Sequence, residues 1–191
     1  MNYTEKLLKH PEFKRIQEEI AVWEQERIYC RHEMSHALDV CRMAWIMYLE
    51  TYIQYENRCD RTNDLETVKD RIYVSGLLHD IGRASQYATG EHHSLAGGRI
   101  AEQILTDIGY PAKWKEETLK IVTAHHGRDG QAGCAPEKND QLQAAVTEGK
   151  EIKDLAFFIQ RADHMSRNCF YCKAADSCKW KQEERNRTIL C

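Results

Sequence analysis

The apolar stretch from Val68 to Leu78, closed by His79-Asp80-Ile81-Gly82, constrains this chain more than any other feature. Its apolar residues at 68, 72, 74, 77 and 78 have the spacing of a buried helix. Gly82 is a natural stop for that helix, because glycine takes the left-handed backbone without steric cost. An imidazole and a carboxylate therefore stand where a buried helix ends. Adjacent side chains on a helix diverge by about 100°, yet a loosened last turn lets the two converge on one ion. Asp is rarely buried unless it is paired or bound to a metal. A polar centre at the end of an apolar helix is the first expectation.

Composition sets the frame around that centre. A length of 191 residues fits one domain with a small appendage. At 42% apolar the chain can fill a core, and at 30% charged, with a mean hydropathy of -0.68, it reads as a soluble protein. No apolar run approaches the roughly 20 residues of a membrane span. The polar start, Met1 to Pro11, lacks the apolar region of a signal peptide, so the expected location is cytoplasmic. A net charge of -3 argues against a surface that coats nucleic acid. Eight cysteines without an export signal read as thiols or metal ligands, not cystines.

The remaining long segments also show helical periodicity, and alternating runs are scarce. Residues 2–29 read as helix with a break near His10-Pro11, and Phe13, Ile16, Ile20 and Trp23 face inward. A long helix is expected from Arg31 to Tyr55, with His36 near its start and His32 one turn earlier on the same face. Residues 57–66 and 82–90 read as loops. A helix follows His92 and His93, with Ser94 as its N-cap, and Gly109 and Pro111 end it. Further helices are expected over 114–126, ending in His125-His126, and over 152–168, where Asp163 and His164 share the face of Leu155, Phe158, Ile159 and Ala162. Residues 127–149 read as a long loop, of a length uncommon without a function.

The order His36, then His79-Asp80-Ile81-Gly82, then Asp163 resembles the HD superfamily of metal-dependent phosphohydrolases, in its HDIG form. The resemblance runs from about Arg31 to Arg167. It implies an all-α HD-domain bundle of about six to seven helices over residues 31–168, preceded by a packing helix in 1–30 and followed by a cysteine-containing tail in 169–191. It implies His36, His79, Asp80 and Asp163 as ligands of one ion. The segment around His93 resembles a third-histidine motif of the larger-site members, and His125-His126 resembles the paired histidine of the dinuclear ones.

Phosphate esters repel anionic nucleophiles. A divalent metal offsets that repulsion and lowers the pKa of water from 15.7 toward about 7. Seven ligands are too many for one catalytic ion that must keep open positions, so a second ion is expected at His93, His125 and His126, with Asp80 as bridge. Mixed His and carboxylate ligands suit Fe, Mn, Co, Ni or Zn. Arg83, beside the ligands, is placed to clamp a phosphate through paired hydrogen bonds. Gln86 and Tyr87 are placed to meet a base or sugar, and Arg167 to meet phosphate or orient Asp163. Asp80 and Arg83 carry the catalytic expectation.

The function implied by the resemblance is hydrolysis of a phosphoester or phosphoanhydride on a nucleotide-like small molecule. Its rivals are a di-iron oxygenase of the same superfamily and a metal- or nucleotide-sensing module without turnover. In the tail, Cys169, Cys172 and Cys178 have a spacing that can place three thiolates on a zinc or an iron–sulfur cluster. Free buried thiols are the reading taken for them, with Phe170, Tyr171 and Trp180 docking the tail on the core.

Overall fold

The computed structural model describes residues 2–54, 64–124 and 155–188. His125, His126, the expected loop over 127–149 and most of the one over 57–66 lie outside the described residues. Eight α-helices and three short 3-10 turns are present among those described, and no strand.

Pro11 divides the first two helices, α1 (Tyr3–Lys9) and α2 (Pro11–Trp23). Proline has no N–H to give the preceding turn, and it is tolerated at a first helical position. The start of α1 is fixed from a distance: Asp70 accepts the backbone N–H groups of Tyr3 and Thr4, at 2.9 and 2.8 Å. Helix α2 stops at Trp23, short of the expected Tyr29, because the chain turns at Glu24 to satisfy a buried carboxylate. Glu24 accepts the backbone N–H of His32, the His32 Nδ1 proton at 2.6 Å and the Tyr87 hydroxyl. His32 therefore precedes the next helix, and does not share its face as the periodicity suggested.

Helices α3 (Met34–Gln54) and α4 (Leu65–Leu78) form the spine. α3 packs on α4 and on the last helix, α8 (Leu155–Met165). Gly76 of α4 lets α3 come close: a Cβ there would lie 2.6 Å from the Cys41 sulfur. One apolar cluster gathers Phe13, Ile20, Val74, Leu77, Leu78, Ile104 and Leu105. A second gathers Val40, Val68, Ile72, Leu155, Phe158 and Ile159. The spine helices have residues in both, so each is clamped from two sides. Burying such side chains contributes about 1.5–3 kcal/mol each.

Residues 83–89, read from the sequence as loop, form a short helix, α5 (Arg83–Thr89), ended by Gly90 at φ 80°. Helix α6 (His93–Asp107) begins two residues earlier than expected. Its N-cap is His92, whose Nδ1 accepts the Ser94 backbone N–H. Ser94 itself lies inside the helix. Helix α7 (Ala112–Ala124) packs on α6.

After α8 the chain makes 3-10 turns at Cys169–Tyr171, Ala175–Ser177 and Gln182–Glu184. Phe170 and Tyr171 are 45% and 82% exposed, so they do not dock the tail. Trp180 stacks under the Arg167 guanidinium, 4.2 Å from ring to charge. Asn186 is buried, and its Nδ2 donates to the carbonyls of His164, Met165 and Arg167 at 2.9, 3.1 and 2.8 Å. No described helix is long and apolar enough to cross a membrane.

Candidate metal centre

Three helices meet at one point. The first turn of α3 brings His36, the end of α4 brings His79 and Asp80, and the last turn of α8 brings Asp163. His79 and Asp80 are buried, and His36 is half-buried. The Nε2 atoms of His36 and His79 are 3.3 Å apart. His36 Nε2 lies 3.3 Å from Asp163 Oδ1 and 3.9 Å from Asp80 Oδ2. His79 Nε2 lies 3.4 Å from Asp80 Oδ2 and 3.9 Å from Asp163 Oδ1.

These separations fit a metal ion. Two imidazole nitrogens each 2.0–2.1 Å from one tetrahedral ion stand roughly 3.3 Å apart. Both rings are also turned the right way. The His79 Nδ1–H donates to the Gly76 carbonyl at 2.6 Å. Ser166 Oγ–H donates to the Asp163 carbonyl at 2.8 Å, so its oxygen accepts the His36 Nδ1–H at 3.3 Å. With each Nδ1 proton held, Nε2 is the inward-facing donor of both rings.

The local field favours a cation. Burial disfavours the His79 imidazolium, but Asp80 and Asp163 outweigh burial and raise its pKa to about 9. Burial likewise opposes ionisation of Asp163, but the His36 hydrogen bond and the His79 charge hold its carboxyl well below the usual carboxylate range. A cation entering among these donors displaces the Nε2 proton of His79, so binding strengthens as pH rises.

Gly82 does its work differently from the sequence expectation. Its φ is -78°, an ordinary right-handed value. What requires glycine is the neighbour: a Cβ at Gly82 would lie 2.0 Å from the His93 carbonyl oxygen and 2.5 Å from the Gly97 nitrogen. The turn that carries His79-Asp80 is thus pressed on the first turn of α6. His93 is buried at that turn, stacked on His92, and lines the same cavity as His36 and Asp163.

Arg83 donates through Nε to Asp80 Oδ1 at 2.9 Å and through Nη1 to Gln86 Oε1 at 3.1 Å. Arg83, Gln86 and Arg167 line the cavity. Tyr87 is not among the lining residues; its hydroxyl is bound to Glu24. His164, beside Asp163, is buried, and neither of its ring nitrogens has a hydrogen-bond partner; burial and the Arg167 charge push its pKa down to about 4.

The family model of the HD domain matches residues 34–168. The chain is 29% identical over 167 residues to an uncharacterized protein of Clostridium beijerinckii, covering 87% of this chain and 85% of that one. It is 23% identical to the Ribonuclease Y of Lawsonia intracellularis over 82% of this chain and 26% of that protein. It is 25% identical to the Ribonuclease Y of Acetivibrio thermocellus over 95% of this chain and 30% of that protein. The chain thus spans under a third of either Ribonuclease Y. No solved structure matches it.

Proposed function

Since the chain belongs to the HD domain family, we propose that it is a metal-dependent hydrolase of phosphoesters or phosphoanhydrides, acting on a nucleotide-like small molecule. The supporting observation is the convergence of His36, His79 and Asp80 at separations that suit one ion, with Asp163 Oδ1 3.3 Å from the His36 Nε2. A divalent transition ion (Fe, Mn, Co, Ni or Zn) supplies charge against the phosphate and makes water more acidic.

The other roles belong to this chain's own side chains. Arg83 holds Asp80 through Nε, which fixes the direction of the second carboxylate oxygen. Arg83 and Arg167 bring positive charge to the cavity wall, where a phosphate needs it. Gln86, anchored on Arg83, meets the remainder of the substrate. The cavity, about 1400 Å³, has room for a nucleotide, since sites for drug-sized ligands span about 300–1,000 Å³. A second ion belongs to the proposal, at His93, His125 and His126, with Asp80 as bridge.

Two relatives carry the name Ribonuclease Y, which makes an RNA phosphodiester the second substrate to test. The experiment is metal analysis of the full chain joined to a turnover screen over nucleotides and short RNA, with each of the five ions. Metal-dependent product release from one of these is the expected result. Metal binding with oxygen consumption and no hydrolysis would move the assignment to an oxygenase. Metal binding with no turnover of any kind would leave a sensing module.

A further inference from the structure

Outside the His–Asp centre, one cluster of metal-binding side chains has no role in the proposed hydrolysis. Cys30, Cys169, Cys172 and Cys178 line one cavity, come from two distant parts of the chain, and are free thiols, half-buried. Cys30 lies between α2 and α3, with its carbonyl held by Arg27 Nε at 2.7 Å. Next to it, the Tyr29 hydroxyl donates to the Ser177 carbonyl at 3.2 Å, which pins this segment beside the tail. The three tail cysteines sit on tight turns. Cys169 opens one 3-10 turn, Cys172 caps it, and Cys178 caps the next. Arg185 Nη2 holds the Cys178 carbonyl at 3.1 Å.

Apolar packing does little to keep the tail in place. Ala174 is the buried apolar residue there among the described ones, while Phe170 and Tyr171 face solvent. Segments with so small a core are ordinarily held by a disulfide or a metal. The thiols are close enough to feel one another. Burial pushes the Cys30 thiol pKa up, and Cys169, Cys172 and Cys178 push it further against the opposing charge of Arg167. A metal bound here would take the place of the thiols' protons.

The spacing separates two kinds of metal. With Zn–S near 2.3 Å, four thiolates on one tetrahedral zinc stand roughly 3.8 Å apart. Among the described residues, His36, His79 and Asp80 form a group whose ligand atoms all lie within 4.8 Å of one another, and the four cysteines form no such group. A four-iron cluster binds each thiolate at a different iron and takes a wider set. We propose that Cys30, Cys169, Cys172 and Cys178 ligate an iron–sulfur cluster that fastens the tail to the segment preceding α3. The site is independent of the hydrolase reading, for none of its ligands belongs to the His–Asp centre.

The full chain, purified without oxygen and supplied with equal amounts of ferric and ferrous iron together with sulfide, tests this. The expected result is a broad visible charge-transfer band, with acid-labile sulfide and the matching iron. The band and the sulfide are lost in C30S, the variant that no spacing within the tail would nominate. They persist in D80A, which separates this site from the hydrolytic one. Should C30S fail to fold, the wild-type chain still decides: loading protects these four thiols together from alkylation, mapped by mass spectrometry. Zinc without sulfide, no metal on the thiols, or a full band in a folded C30S would each overturn the proposal.

Discussion

His36, His79, Asp80 and Asp163 project from helices whose other faces fill the two apolar clusters, whereas Cys30, Cys169, Cys172 and Cys178 sit on turns with almost no core beneath them. The first set is held by packing that exists whether or not an ion is bound. The second is held by side-chain hydrogen bonds to backbone carbonyls and one stacked tryptophan. Where packing places the donors, a metal adds chemistry. Where turns place them, the metal adds the missing cohesion, and its binding energy becomes folding energy. Loss of metal is expected to cost activity at the one and local order at the other.

The sharpest way to break that contrast is D80A. Asp80 is the carboxylate of the central turn, bonded to Arg83 and near both imidazoles. Outer-shell changes at metal sites typically cost 10–100-fold, so loss of a ligand is expected to lower turnover by more than about 100-fold. Circular dichroism is expected to stay that of the wild type. Undiminished turnover with full metal content would remove Asp80 from the site.

G82A tests whether packing sets the centre. Its new methyl must displace the His93 carbonyl or the Gly97 nitrogen, both backbone. Overpacking of this kind costs typically 1–3 kcal/mol and here is expected at about 3 kcal/mol. That is roughly 6–12 °C in Tm for a chain this size. A melting temperature equal to wild type would mean that the turn and α6 move apart freely.

R83A separates two roles of the guanidinium. Because Nε orients Asp80, the expected outcome is a loss of about 10–100-fold in metal affinity or kcat/KM, as for other groups that orient ligands. A raised KM at unchanged metal affinity would instead assign Arg83 to phosphate alone.

E24Q is the smallest. Burial opposes ionisation of Glu24, but hydrogen bonds from His32 and Tyr87 outweigh it and lower the pKa. A carboxylate with a lowered folded pKa stabilises above its unfolded value of about 4.3. That contribution is lost as pH falls through the folded value. Gln keeps an acceptor for Tyr87 but loses the charge, at about 1 kcal/mol near neutral pH. Melts from pH 7 down to 3 are expected to show a shallower acid limb in E24Q; parallel limbs would show that Glu24 does not titrate there.

Much of the fold was readable because long helices repeat their apolar face several times. Val68, Ile72, Val74, Leu77 and Leu78 define α4 from the sequence, and all are buried. Helix α5 escaped because seven residues show less than two full turns, and of them only Ala84 is buried. The ordered motif led to the donors of the candidate centre, but not to what Gly82 is for. A backbone close approach leaves no trace in local sequence, and glycine suggests a left-handed turn first. Glu24 escaped because an acid beside Gln25 and Glu26 reads as solvated surface. Cys30 escaped because metal spacings are sought along the chain, and its partners are brought to it only by folding.

Asn186 closes the last turn of the helix that carries Asp163, through three carbonyls at once. The family match ends at residue 168. A fragment cut at that boundary keeps His36, His79, Asp80 and Asp163, yet leaves the carbonyls of His164, Met165 and Arg167 without this donor. The hydrogen bonds that close this helix therefore reach past the end of the family match by eighteen residues, from 168 to 186. Swapping this domain between proteins, or trimming it for crystallisation, should respect the longer boundary.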